Sequence, residues 1–412
     1  MKYLFPFLFL FSQSSFSQIG CTDPLAENFD EDAMENDGSC MYDFTLDRPH
    51  QLFEMGAPIL ESSGLIYTNA GLWTHNDSGN DPILYLLDTL SFEIKRQVVI
   101  ENVENEDWEE LAADEQYFYI GDFGNNKGDR KDLNILRVSR TDIQGNDTVS
   151  AEVINFYYPD QLDFSLGDKS HNFDCEAFFV NGDSLHLFTK NWENRKTKHY
   201  TIPKVPGNYS AIIRDSFDVD GLITAADIAP DGVISLLGYE DKATGEAFQW
   251  LLFDYKNMDV FSGNKRKLSL GSIIERGQVE GLVFSQNGEG YISSEAVSII
   301  KPKMARFTTL EWTDEITATE IIPVPFQFLV MFPNPVSDSF NIALNDCKPG
   351  DQVKVEILNV YGQVLSLENF SFNSSFEYRS SIKMDASNLS KGSYFVKIEM
   401  DGFVAMKVFL KS

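Results

Sequence analysis

The sequence predicts an all-β fold, a five- or six-bladed β-propeller followed by a small C-terminal β-sandwich, and three observations lead there. From about residue 44 to about residue 320 short strand patterns follow one another, with Gly, Asn and Asp at the breaks and no long helical periodicity between them. One hairpin grammar recurs five times within that stretch. Beyond residue 321 a different set of alternating strands and turns takes over.

The N-terminus sets the compartment. Lys2 supplies a positive start, Leu4 to Phe11 an apolar run, and Ser15-Phe-Ser17 the small residues of a cleavage site, so residues 1–17 read as a signal peptide cut before Gln18. The apolar run is shorter than the ~20 residues of a membrane span, and no later segment qualifies. A lipoprotein signal ending at Gly20-Cys21 wants an aliphatic residue where Gln18 stands. With 43% hydrophobic and 13% aromatic residues, the 412-residue chain has enough apolar surface for two or three packed domains. Its formal net charge of -30 disfavours nucleic acid and anionic membranes as partners and suits an extracellular, cation-rich setting.

Residues 18–43 form an acidic, Cys-bounded module. Cys21 and Cys40 bracket a short loop, and in an oxidising compartment a Cys21–Cys40 disulfide is the expectation. The segment resembles small modules common near the ends of secreted Bacteroidetes proteins. Asp30, Asp32 and Asp37, with the turn at Gly38, offer hard oxygen ligands for Ca²⁺, or equally a solvated acidic spacer. Cys175 and Cys347 lie far apart and read as unpaired, buried residues.

Residues 44–320 carry the repeated hairpin. Its copies begin at Glu61, Asp107, Phe173, Ile223 and Gln278, with turns at Asn69-Ala-Gly71, Asp114-Glu-Gln116, Asn181-Gly-Asp183, Pro230-Asp-Gly232 and Gln286-Asn-Gly288. Such turn chemistry matches the twist of paired strands. A period of roughly 45–65 residues suits four-stranded blades, with outer strands such as Ile83–Asp88 and Leu133–Val138 between the hairpins. The longest gap, between the second and third copies, leaves room for a sixth blade or a long loop. Phe44-Thr-Leu46 or Leu52-Phe53 is expected to close the ring beside a last strand near Thr308–Trp312. An array of β-sandwiches is the competing fold, and it explains less well why polar residues recur in the same places of each copy.

After the stiff Pro323-Val-Pro325 linker, residues 321–412 read as a small antiparallel sandwich. Pro333-Asn-Pro335, Asn359 to Gly362 and Leu389 to Tyr394 closely resemble the motifs of the C-terminal sorting domain of the Bacteroidetes type IX secretion system, with Asn359 where aspartate is usual. The resemblance implies handling of residues 328–412 by that machinery, passage across the outer membrane, and a secreted or cell-surface destination.

In a propeller, residues that open each inner strand and close its partner crowd around one mouth of the channel. The openers are Ser63, Glu109, Glu176, Thr224 and Glu280; the closers are Asn76 with Asp77, Asp122, Lys190 with Asn191, Glu240, and Glu295. Scaffold positions are interchangeable between blades, so the unevenness of this set points to a site. Glu109, Glu176, Glu280, Asp77, Asp122 and Glu295 are the candidate metal ligands, and Asn76, Lys190 and Asn191 the candidate ligand-binding residues. Crowded carboxylates repel unless a cation or shared protons compensate them, and Ca²⁺ accepts many oxygen ligands at loose geometry. Taken singly, each Asp or Asn also fits a plain turn cap. Zinc is disfavoured because His75, His171, His186 and His199 show no ligand spacing.

The middle region also resembles uncharacterised secreted propellers of phytase-like or SdiA-regulated-like type, through Ser62 to Leu65, His75 to Gly79, Trp108-Glu109, Gly121 to Asn126, Phe173 to Ala177 and Gln278 to Gly281. No nucleophile elbow, P-loop or zincin motif is present. Lys190 and Arg130 could hold a phosphate, and Trp73, Trp108 and Trp192 could stack on sugars or simply pack. The expected function is therefore a surface-delivered propeller that binds an extracellular ligand, with Ca²⁺ at an acidic mouth. The alternatives are a calcium-dependent hydrolase acting on phosphate or other esters, and a passive adhesion or scaffold module.

Overall fold

The computed structural model describes residues 18–313 and 330–411, apart from 90, 166, 243–244, 297–299, 333–335, 345–351, 360–362, 372–379 and 401–402. The expected signal peptide at residues 1–17, the Pro323–Pro325 linker, the Pro333–Pro335 motif and Cys347 lie outside the described residues. The chain divides into two compact units, Met1–Glu315 and Ile316–Ser412.

Each of the five hairpins forms the two inner strands of one blade. Blade I runs outward through Ser62–Thr68, Gly71–Asn76, Ile83–Leu87 and Ile94–Ile100. Blade II uses Trp108–Ala113, Tyr117–Asp122, Asn134–Ser139 and Glu152–Tyr157. Blade III uses Asp174–Asn181, Ser184–Lys190, Thr197–Pro203 and Ile212–Phe217, and blade IV Leu222–Ile228, Ile234–Tyr239, Glu246–Phe253 and Asn264–Ser272. Blade V begins with Gln278–Gln286, Glu289–Glu295 and Lys303–Thr308 and takes its fourth strand, His50–Glu54, from the other end of the propeller.

That borrowed strand closes the ring, as expected of the Leu52-Phe53 segment. Thr45–Leu46 instead adds a parallel edge to blade IV. After Thr308 the chain turns into a short helix, Leu310–Thr313, so the last strand ends earlier than its expected position. Among the described residues, the gap between the second and third hairpins holds no sixth blade. It supplies the outer strands of blade II, a helix at Arg140–Gly145 and an added edge strand on blade I, Thr148–Val149, before a loop leads to blade III.

Five apolar clusters lie between neighbouring blades. Trp73 and Trp108 pack between blades I and II, Phe123 and Phe178 between II and III, and Phe188 and Phe248 between III and IV. Leu237 and Val279 pack between IV and V, and Leu72 and Met304 between V and I. The fifth interface returns to the first blade, and burial of these faces holds the blades together.

The Cys21–Cys40 disulfide forms, and the module it closes is seated on blade IV. Asn36 donates to Asp254 at 2.7 Å and to Asn264 at 2.9 Å, and Lys265 reaches the Gly38 carbonyl at 3.2 Å. Arg266 lies between the rings of Tyr42 and Trp312, at 4.8 and 4.2 Å from their centroids. Cys175 is buried and free.

The second unit is a sandwich of a three-stranded sheet (Val330–Phe332, Ser339–Leu344, Ser380–Asp385) and a four-stranded one (Val364–Ser371, Gln352–Leu358, Gly392–Met400, Phe403–Lys411). Phe340 and Met384 of one sheet share a core with Val355, Ile398 and Phe409 of the other. The Tyr394 ring stacks on Phe409 while its hydroxyl donates to the Ser390 carbonyl at 2.8 Å. The tyrosine of the last sorting motif thus fastens its own turn.

Candidate functional site

All five inner strands are irregular at the same place. Pairing of each inner hairpin shifts between Ser62 and Leu65, Trp108 and Leu111, Cys175 and Ala177, Ile223 and Ala225, and Val279 and Gly281. The unmatched residues include Ser63, Glu109, Glu176, Thr224 and Glu280. These are the five openers, each on a β-bulge, the device that re-aims a side chain at a barrel rim or beside a site.

The blades use this position in two ways. In blades I and IV it holds the ring together: Ser63 Oγ donates to the Glu109 carbonyl and Thr224 Oγ1 to the Val279 carbonyl, each reaching the next blade. In blades II, III and V it carries a buried glutamate, at 5, 2 and 3% exposure for Glu109, Glu176 and Glu280. Blade II has a second unmatched residue, Glu110. Its carboxyl accepts from Leu65 N at 3.3 Å, Leu111 N at 2.9 Å and Ala226 N at 3.3 Å, linking blades I, II and IV across the ring.

Around the glutamates stand the closers. Register pairs Asn76, Asp122, Lys190, Tyr239 and Glu295 with the starts of their inner strands, so the blade IV closer is Tyr239 rather than Glu240. Lys190 Nζ lies 3.0 Å from Glu176 Oε2 and packs over the rings of Trp192 and Tyr239. Burial opposes its charge, but Glu176, Tyr239 and Glu280 outweigh burial and hold the ammonium well above its ordinary pKa.

Asp77, Asp107 and Glu109 form a close group, with one carboxylate oxygen of each within 4.8 Å of the others. Gly124 makes room for it: a Cβ there would collide with Glu109 Oε1 and Asp107 Oδ2. Asp107 is fixed by its backbone, whose N–H donates to Asp122 Oδ1 at 3.2 Å and whose carbonyl accepts from Gly124 N at 3.2 Å. Asn105 Nδ2 holds the carbonyls of Asn76 and Asp77, at 3.0 and 2.9 Å.

Burial first, then Glu176, Asp77 and Asp107, push Glu109 well above the usual carboxylate range. Burial, then Asp77 and Asp174, raises Asp107 to about 7, and burial, then Glu280 and Asp77, raises Glu295 to about 9. Asp77 and Glu280 shift upward as well, burial leading in both.

Other expected residues have structural partners. Arg130 binds Asp122 Oδ1 at 3.0 Å, which offsets part of the burial that raises that carboxylate, and Asp122 accepts from the Asp107 N–H. Asn76 bonds the Pro58 carbonyl, and Asn191 bonds Thr189 and Asn194. In the N-terminal module Asp30 accepts from Asp32 N and Gln18, and Asp37 from Ser39 N. These carboxylates cap turns, and no grouping for a metal is found there among the described residues. His186 and His199 stack as a buried pair, with burial lowering them to about 4 and about 3.

Sequence reading missed Asp107, Asp174 and Tyr239, and offered Trp192 only as a sugar platform or a packing residue. Asp174 Oδ2 accepts from the Trp192 indole at 2.7 Å and its Oδ1 from Asn125 N at 2.6 Å, so it orients the aromatic wall beside Lys190.

The fold is an all-β propeller, with buried carboxylates gathered on the bulges of its inner strands. Residues 330–411 match the secretion system C-terminal sorting domain. The chain is therefore an export substrate of the type IX system, delivered to the cell surface or released. No described helix is long and apolar enough to cross a membrane. No curated protein matches the chain. Among solved structures, a xylan β-1,4-xylosidase from Bacillus halodurans is 9% identical with a TM-score of 0.40, covering 86% of this chain and 91% of that one. A quinonprotein alcohol dehydrogenase-like protein from Bacteroides thetaiotaomicron is 12% identical at TM-score 0.32, covering 77% and 68%. A Bacteroides caccae protein of unknown function is 10% identical at TM-score 0.27, covering 75% and 94%. The five-blade assignment rests on the strand order and the interblade cores, not on these similarities.

Proposed function

We propose that the propeller is a surface-delivered binding protein that holds Ca²⁺ at its acidic mouth and takes an extracellular ligand there. One observation carries this reading: Asp77, Asp107 and Glu109, from two blades, bring three carboxylate oxygens within 4.8 Å of one another. The cations nearby are committed elsewhere, Lys190 to Glu176 and Arg130 to Asp122. An all-oxygen donor set on backbone fixed by hydrogen bonds suits a hard divalent ion, and Ca²⁺ tolerates its irregular geometry. Asp77, Asp107 and Glu109 would hold the ion. Glu280 and Glu295, whose charges act on each other and on Asp77, form the outer part of the same field.

A calcium-dependent hydrolase would use the same mouth. Its phosphate-holding cations were expected to be Lys190 and Arg130, and the ion pairs of both favour the binder. A passive scaffold gives no reason to gather carboxylates whose burial opposes their ionisation.

Calcium titration of the purified propeller, followed by thermal melting and metal analysis, tests the reading. Calcium is expected to raise the melting temperature and to be retained, and Glu109→Gln to remove most of the effect. Equal melting in calcium and in chelator, with no retained metal, would overturn it.

A further inference from the structure

We propose that a second site, a cleft of about 440 Å³ between the disulfide-bounded module and blade IV, binds a neutral oligosaccharide. Its walls come from two parts of the chain, the Cys40–Phe44 segment on one side and Phe248, Trp250 and Lys267 on the other. The volume falls in the range of small-molecule sites, roughly 300–1,000 Å³. Trp73, Trp108 and Trp192, the tryptophans expected to be available to sugars, are 4, 0 and 6% exposed. Trp250, half-buried beside the cleft, has its indole fixed by a 3.3 Å hydrogen bond to the Val219 carbonyl. Phe44, on the opposite wall, is 75% exposed.

Charge selects the class of ligand. Lys267 already lies over Phe248 and Trp250, 4.4 and 5.7 Å from their centroids, so the cation–π position of the aromatic wall is filled from within. Lys265 is occupied by the carbonyls of Gly38, Phe261 and Gly263. An anion would meet Asp43, Glu240 and Glu246. What fits is a neutral molecule with an apolar C–H face for Phe44 and the exposed part of Trp250, Phe248 being buried beneath Lys267, and with hydroxyls for the carboxylates. A saccharide has both. The module's disulfide then has a purpose beyond stability, because it sets the wall that carries Phe44.

The test is calorimetric titration of the mature chain with neutral α- and β-linked tetrasaccharides of glucose, xylose and mannose. At least one is expected to bind saturably. Phe44→Ala, at an exposed position, should weaken it about tenfold and Trp250→Ala abolish it, while calcium chelation leaves it unchanged. Failure of every tetrasaccharide to bind, or affinity unaltered by Phe44→Ala, overturns the proposal. Loss of binding on chelation overturns it too, by moving the ligand to the propeller mouth.

Discussion

The ammonium of Lys190 lies 3.0 Å from Glu176 Oε2, both side chains all but sealed from solvent. Lys190 closes blade III and Glu176 sits on its bulge, so the pair joins the two strands at the channel wall. Removing one partner strands a buried charge and typically costs about 3–5 kcal/mol. Lys190→Met should therefore destabilise the propeller by that order in denaturant unfolding, and adding Glu176→Leu should recover much of the loss.

Stability of the metal-free protein should fall as pH rises. The mouth acids have folded pKa values above their unfolded ones, so the folded state binds more protons and the stability they contribute is lost as pH passes through the folded values. For Asp107 that loss runs from the ordinary carboxylate range to about 7, and for Glu295 to about 9. Chelator-treated protein should melt progressively lower from pH 5 to pH 9, and calcium should flatten the decline. A melting temperature that rises over this range would contradict the assignment.

Gly124→Ala tests the packing of the acidic group. A methyl there meets Glu109 and Asp107 together, so one carboxylate must move. The variant should fold, lose calcium affinity by about tenfold or more, and keep the Lys190-dependent stability.

The disulfide closes a loop between Cys21 and Cys40, a separation of 19 residues. Loop-closure entropy assigns it about 3 kcal/mol. A Cys21→Ser, Cys40→Ser double variant should unfold its module at lower denaturant, and the peptide after Gln18 should become protease-sensitive first.

Much of this was legible in the sequence because hairpins are local. Turn residues, alternation and a repeating grammar marked all five inner hairpins, but the choice between Phe44-Thr-Leu46 and Leu52-Phe53 as the closing strand came only with the structure. The candidate site was legible where the copies differ at two positions, the opener and the closer, which picked out Glu109, Glu176, Glu280, Asp77, Lys190 and Glu295. The bulges were not, because an extra residue in one strand shows only against its partner. The one-residue slip from Tyr239 to Glu240 is an error of the same kind. Asp107 and Asp174 precede the openers, and nothing in their sequence setting marks them out. Their roles come from Gly124 in one case and Trp192 in the other, contacts set by tertiary packing.

The central claim, calcium held by Asp77, Asp107 and Glu109, meets its most direct test in calorimetry of the purified propeller at neutral pH. Wild-type protein should bind one calcium ion at this centre and release protons, seen as a heat that depends on the buffer. The Asp77→Asn, Glu109→Gln double variant, folded by circular dichroism, should show no such binding. Unchanged calcium binding by that variant, or no calcium heat from the wild type, would contradict the account.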